Sequence, residues 1–174
     1  YRMPVASAQV KSAILLAGLS AKGKTRVIER LGSRDHTERM LKIFGANIVI
    51  NNNSITLDPN KALVSPGRIY IPGDISSAAF FMVLASIIPG AKIILQRLTL
   101  NPTRSGIIKV LKRMGAKIKI ATLKGKQSGS FEPVGNLTIN SSKLKGASVA
   151  VCEIPSLVDE LPIIMVAACF AEGR

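Results

Sequence analysis

Tryptophan is absent, histidine occurs once, as His36, and cysteine twice, as Cys152 and Cys169. One imidazole and two thiols make neither a disulfide framework nor a four-ligand zinc site, so most metal chemistry is excluded and a reducing cytoplasm is the expected setting. Aromatic residues are few, five Phe and two Tyr, and the stacking platforms of single-strand nucleic-acid binders are missing. Acidic side chains are scarce: ten Asp plus Glu stand against 24 Lys plus Arg, a formal net charge of +14. Such a surplus suits an anionic partner or substrate. Between Asp74 and Glu132 ten basic residues occur with no acid, which reads as a solvated face or as an anion-binding surface. The longest uncharged stretch, residues 75–91, is broken by Pro89 and Gly90 and falls short of the roughly 20 apolar residues a spanning helix needs. No membrane span is expected. The opening Tyr1-Arg2-Met3-Pro4 has neither the pattern of a secretion signal nor an initiating Met, and a chain cut from a longer one is expected.

What is present is enough for a core of one or two domains: 174 residues, 47% of them hydrophobic. It is also repetitive. Residues 40–50, Met-Leu-Lys-Ile-Phe-Gly-Ala-Asn-Ile-Val-Ile, match residues 110–120, Val-Leu-Lys-Arg-Met-Gly-Ala-Lys-Ile-Lys-Ile, at an offset of 70. Upstream, residues 12–18 match residues 79–85 in character, with Gly23 on Gly90 at an offset of 67, and a third start in residues 161–173 sets Gly173 on Gly90 at an offset of 83. Each unit begins with an apolar helix and continues through an amphipathic helix, Gly-Ala and a strand.

Periodicity and punctuation predict helices near 7–20, 35–44, 75–88, 103–114 and 159–171. Strands are predicted near 24–30, 46–50, 54–58, 68–72, 91–98, 116–121 and 136–140. Gly45 and Gly115 close helices, and Asn101-Pro102 offers a cap and a first-turn proline. The first helix of each unit is apolar all round, as in residues 78–85, and is expected to be buried on every side. Alternation in Lys117-Ile118-Lys119-Ile120 implies a sheet with one wet face, hence buried helices inside and sheets outside. Residues 124–135 read as a loop and residues 62–68 as a boundary between lobes.

With the units aligned on their closing glycines, the residue 14 positions earlier is Gln9, Ser76 and Asp159. Each opens a greasy helix, whose free N–H groups suit phosphate or carboxylate; capping is the plainer reading for Ser76 and Asp159. Gln9 is a poorer cap than Ser7 and offers both donor and acceptor to a ligand. Ser33-Arg34-Asp35-His36-Thr37-Glu38 has the acids and spacing of a capping box. Arg34 is out of place at a positive helix end, which points to an anion or to an ion pair with Asp35, Glu38 or another acid. His36 reads as a local hydrogen-bonding residue. Asp159-Glu160-Leu161-Pro162 puts two carboxylates at a helix mouth, where Asp159 is first an orienting acceptor. Cys152 and Cys169 read as structural.

Five segments in order resemble the successive signatures of the 5-enolpyruvylshikimate-3-phosphate (EPSP) synthase family. They are Val5-Ala6-Ser7-Ala8-Gln9-Val10-Lys11-Ser12-Ala13, residues 33–38 as above, Pro72-Gly73-Asp74-Ile75-Ser76-Ser77-Ala78-Ala79, Asn101-Pro102-Thr103-Arg104 and Val158-Asp159-Glu160-Leu161-Pro162. The branch is the bacterial one with alanine at position 8. The resemblance implies an α/β fold of repeated β-α-β-α-β-β units with buried helices and outer sheets, in two lobes with the active site in the cleft. Residues 1–70 would be the last unit of one lobe, 71–73 a hinge crossover, and 74–174 the first unit and the start of the second unit of the other lobe.

The implied reaction moves the enolpyruvyl group of phosphoenolpyruvate to the 5-hydroxyl of shikimate 3-phosphate, by addition and elimination, with no metal or organic cofactor. Ser7, Ala8, Gln9, Ser33, Arg34 and Asp159 would contact shikimate 3-phosphate, Gln9 would also meet phosphoenolpyruvate, and Asp159 is the proposed base. Partners would be these small molecules, without nucleic acid or membrane, and the full-length protein would be a cytoplasmic monomer. The family's Lys-Ser pair and glycine-rich loop would precede Tyr1, and its Glu/Arg/Lys cluster would follow Arg174, so the 174-residue chain alone is expected to be inactive. The related UDP-N-acetylglucosamine enolpyruvyl transferases carry a reactive cysteine in a glycine-flanked loop, where neither cysteine here lies. A basic nucleic-acid-binding repeat module is the other alternative.

Overall fold

The computed structural model describes residues 1–123 and 131–173. The chain forms two compact units, Tyr1–Ile69 and Tyr70–Arg174.

The first unit runs α1 (Ala8–Gly18), β1 (Thr25–Ile28), α2 (His36–Ile43), β2 (Asn47–Asn51) and β3 (Ser54–Asp58). The strands form an antiparallel sheet in the order β1-β3-β2. Met3, Leu15, Val27, Leu41, Ile48, Ile55 and Leu57 make its core.

The second unit repeats that plan with α3 (Ile75–Ile87), β4 (Lys92–Thr99), α4 (Gly106–Arg113), β5 (Lys117–Leu123) and β6 (Val134–Asn140). Its sheet has the equivalent order β4-β6-β5, again antiparallel. A third round begins with β7 (Leu144–Lys145), a 3-10 stretch over Val151–Ser156 and Val158–Glu160, α5 (Leu161–Cys169) and β8 (Ala171–Glu172).

The offset-70 match is reproduced bond by bond. Gly45 and Gly115 have φ of +79° and +91°, a region that glycine enters without a Cβ penalty. Gly45 N–H donates to Lys42 and Ala46 N–H to Leu41, both at 3.0 Å, while Gly115 donates to Lys112 at 3.0 Å and Ala116 to Leu111 at 2.9 Å. Both helices therefore stop the same way before β2 and β5.

The strand expected over 68–72 is absent. Its place is taken by a one-residue parallel bridge, Gly73 to Leu98, matched by Arg2 to Ile28 in the first unit and by the parallel β7–β8 pair in the third round. The leading strand of the repeat is thus cut to one or two residues. In the second unit a bulge in β4 between Leu95 and Leu98 accompanies it; Arg97 lies at φ +53°, donates its N–H to Asn136 at 2.9 Å, and presents its carbonyl to Gly73 N–H at 2.8 Å.

Two helix starts also shift. The segment after Asn101-Pro102 forms a turn, and α4 begins only at Gly106 with Ser105 as its cap residue. Asn101 caps that turn and not α4: its Oδ1 accepts from the Thr103 N–H at 2.9 Å and the Thr103 hydroxyl at 2.8 Å. Residues 158–160 are a 3-10 turn ahead of α5, not its first turn.

Burial of the apolar helices within the chain is one-sided. Ile75, Ala78, Ala79, Met82, Val83 and Ala85 of α3 pack with Ile164 and Ala167 of α5 in the second core, while Phe80 and Phe81 are exposed. In β5, Ile118 is buried but Ile120 is exposed, so the alternation holds for half the strand. The loop expected over 124–135 is shorter at its far end, because Val134 and Gly135 belong to β6; residues 124–130 lie outside the described ones. Cys152 and Cys169 are free and exposed, since α5 turns the Cys169 face away from the core, and neither is a buried structural thiol. Among the described residues no helix is long and apolar enough to cross a membrane.

Candidate functional site

In the first unit, Ser7 is the N-cap of α1, in extended conformation, and its hydroxyl accepts from Val10 N–H at 3.3 Å. Ala8 and Gln9 are the first two helical residues, and Gln9 is exposed. The Ser7 hydroxyl donates to Gln9 Oε1 at 3.4 Å, a long bond that a ligand can displace. No acid lies in the first turn, so the positive end of α1 is left uncompensated by its own side chains.

Ser33 and Arg34 lie in the segment that enters α2. Ser33 is buried and donates its hydroxyl to Glu29 Oε1 at 2.5 Å. Arg34 is half-buried, one residue before the cap position Asp35. The expected capping box is not formed: Asp35 makes no side-chain cap bond and accepts instead from Arg39 Nε at 2.9 Å, one helical turn on. That i to i+4 ion pair competes for the same carboxylate.

Beneath this segment lies a charge cluster that reasoning from sequence missed. Lys11, 1% exposed, sets its ammonium 3.1 Å from Glu29 Oε2, 2.7 Å from Glu38 Oε1 and 3.4 Å from the Ser33 carbonyl. Ser33 is therefore held at its hydroxyl by Glu29 and at its carbonyl by Lys11. The signal available was the single charged residue in the helix of residues 8–18, since a charge on a buried face needs partners.

The second unit has its own polar cluster at the mouths of α3 and α5. Asp74 caps α3 and accepts from Ser77 N–H and from the Ser77 hydroxyl, each at 2.8 Å. Partial burial pushes its carboxyl up, but the Ser77 hydrogen bonds and the Arg104 charge outweigh that and hold it below the ordinary value of 3.8. Ser76 donates its hydroxyl to Glu160 and accepts from Arg104 Nη2 at 3.0 Å. The same Nη2 lies 3.0 Å from Asp74 Oδ1 and 4.0 Å from Asp159 Oδ2. Glu160 is buried at 2%, whereas the Asp159 side chain is 46% exposed.

Gln9, Ser76 and Asp159 each occupy the second residue of a helical run, after Ser7-Ala8, Asp74-Ile75 and Leu157-Val158. Within the second unit Ser76 and Asp159 are brought together through Glu160 and Arg104. His36 opens α2 and is half-buried. Among the described residues no group of three or more His, Cys, Asp or Glu could hold a metal ion.

Comparison with known proteins adds a family. The model for EPSP synthase (3-phosphoshikimate 1-carboxyvinyltransferase) matches residues 1–174. The curated 3-phosphoshikimate 1-carboxyvinyltransferases of Bacillus licheniformis and Leuconostoc citreum are 49% and 50% identical over 173 residues, with 99% of this chain covered. The solved EPSP synthase from Acinetobacter baumannii matches at a TM-score of 0.87 and 45% identity, over 99% of this chain and 39% of that one. The enolpyruvyl transferase NikO from Streptomyces tendae shares the fold, with a TM-score of 0.65 and 17% identity over 91% of this chain and 36% of its own. The chain spans 40% and 39% of the two curated relatives' length.

Proposed function

The chain belongs to the EPSP synthase family, and we propose that the full-length protein transfers the enolpyruvyl group of phosphoenolpyruvate to the 5-hydroxyl of shikimate 3-phosphate. In this reaction the 5-oxygen bonds to C2 of phosphoenolpyruvate while a proton adds to C3. The tetrahedral adduct then loses a C3 proton and inorganic phosphate. Residues 1–70 are the last unit of one lobe, 71–73 the crossover and 74–174 the beginning of the other lobe. No metal or organic cofactor takes part, and the enzyme is a cytoplasmic monomer.

The observation that carries this reading is the mouth of α1. Ser7, the Ala8 and Gln9 backbone and the Gln9 side chain surround a helix end with no acid in its first turn, a cradle for a phosphate dianion. Ser33 and Arg34 add a second polar edge, and Arg34 supplies a fork of donors suited to phosphate. Ser33 donates its hydroxyl to Glu29, so it offers the substrate a lone pair or its N–H until that bond is broken. Gln9 turns toward the ring and phosphoenolpyruvate. In the second unit Asp159, with the charge of Arg104 beside it, accepts from ring hydroxyls and orients the attacking 5-hydroxyl. It becomes the base only if the closed site strips water from it.

The test is phosphate release from phosphoenolpyruvate by the full-length protein, with shikimate 3-phosphate and separately with UDP-N-acetylglucosamine, beside Gln9→Ala and Asp159→Ala. Release with shikimate 3-phosphate alone, sharply lowered but still measurable in both variants, is the expected outcome. Release only with the nucleotide sugar, or with neither acceptor, overturns the proposal.

A further inference from the structure

We propose that Arg104 is a positioning residue for Asp159, pinned by Asp74 and Ser76 so that its charge sets the orientation of that carboxylate. The inference rests on Asp159 acting on the substrate hydroxyls.

Arg104 has little freedom. It ends the turn of residues 101–104, whose Asn101 is fully buried, donates from Nδ2 to buried Glu132 at 2.8 Å, and accepts at its carbonyl from Arg104 N–H at 3.0 Å. The side chain is only 20% exposed.

At its far end, Nη2 carries two hydrogens, and two acceptors stand at 3.0 Å, Asp74 Oδ1 and Ser76 Oγ. Both hydrogens are thereby used. Asp159 Oδ2, at 4.0 Å, receives attraction from this nitrogen but no hydrogen bond, since that distance lies beyond bonding range. Nη2 therefore attracts the Asp159 carboxylate by charge without itself taking one of its lone pairs.

The same guanidinium acts on the neighbouring residue by another route. Ser76 has one hydrogen and gives it to Glu160, so it can only accept from Arg104. Glu160, buried and adjacent in sequence, fixes the backbone from which Asp159 projects. Arg104 thus governs Asp159 directly by charge and indirectly through Ser76 and Glu160.

The experiment is a double-mutant cycle in the full-length protein, measured as phosphate release with shikimate 3-phosphate. Arg104→Gln is expected to lower kcat about tenfold or more with KM for phosphoenolpyruvate within about twofold, and Arg104→Lys, which keeps the charge, to recover most of the loss. In the Asp159→Ala background, Arg104→Gln should cost less than about twofold. Equal losses in the two backgrounds overturn the inference, as does wild-type kcat in Arg104→Gln. Thermal unfolding separates these from misfolding; if Arg104→Gln does not fold, Ser76→Ala, which removes one of the two acceptors that pin Arg104, carries the same cycle. If wild type turns over and Asp159→Ala retains full activity, the role of Asp159 fails and the inference with it. If wild type releases no phosphate with this acceptor, the functional reading itself is what failed.

Discussion

Removing Lys11 tests the physical account of the first unit most severely. Its ammonium lies between two buried carboxylates, Glu29 at 5% and Glu38 at 2% exposure. Lys11→Met fits the same volume but leaves both glutamates without that countercharge. Stripping one partner from a buried pair costs roughly 3–5 kcal/mol, against a total stability of about 5–15 kcal/mol. The cluster already carries one negative charge in excess, and Glu38 Oε2 has no hydrogen-bond partner. Glu38→Gln should therefore be milder: it leaves a one-to-one Lys11–Glu29 pair, keeps an acceptor for Lys11, and replaces the oxygen that bonds to nothing. Its cost should stay at about 1–3 kcal/mol, that of the buried amide hydrogens left without an acceptor, and below that of Lys11→Met. Urea unfolding of the full-length variants, analysed by linear extrapolation, checks both. The reasoning is refuted by Lys11→Met within about 1 kcal/mol of the parent, or by Glu38→Gln costing as much as Lys11→Met. Because Glu29 and Lys11 also hold Ser33, Lys11→Met should in addition raise KM for shikimate 3-phosphate.

Two further perturbations bear on the second unit. Asp74 is held below its ordinary value in the folded state, so its contribution is complete above about pH 4 and disappears as pH falls through the lower folded value. Asp74→Asn should flatten that acid limb, read as the urea midpoint between about pH 5 and pH 3, and a variant with the parent's limb would discard the assignment. At Gly106 a Cβ would strike Ser156 Oγ and come within 3.0 Å of Leu157 Cβ and the Ser156 carbonyl, just ahead of Asp159. Ser156 cannot easily yield, because its hydroxyl donates to the Glu153 carbonyl at 2.7 Å. Gly106→Ala should cost about 1–3 kcal/mol by thermal or urea unfolding, and a neutral result would mean that the 151–156 stretch gives way freely.

The parts legible in the sequence were those fixed by neighbours along the chain. The α2–Gly45–β2 and α4–Gly115–β5 correspondences depend on apolar spacing and one left-handed glycine each, and both are local. The strand over 68–72 failed because strand propensity does not create a partner: only Gly73 finds one, at the β4 bulge. Asn101 caps the turn that begins at Pro102 and not α4, because its side chain finds the Thr103 N–H and hydroxyl first. Ser7 as the cap of α1, and Gln9 and Ser76 in first turns, were legible from helix starts. The Lys11 cluster and the Arg104 contacts were not, since they join residues at least 18 positions apart, and only folding says which acid meets which base.

The repeat sets three residues at one position, and their surroundings divide the work among them. The α1 mouth has a neutral cap, Ser7, and no acid in its first turn, so its partial positive charge remains available to an anion. The α3 mouth is satisfied from within, because Asp74 caps it and the Ser76 hydroxyl is engaged by Glu160 and Arg104. The α5 mouth carries two carboxylates, one buried on Ser76 and the other, Asp159, open to solvent. A phosphate would be repelled there, whereas a neutral hydroxyl would find an acceptor. The mouth of α1 is therefore suited to an anion and Asp159 to neutral hydroxyls, a division that follows from which helix end keeps its charge.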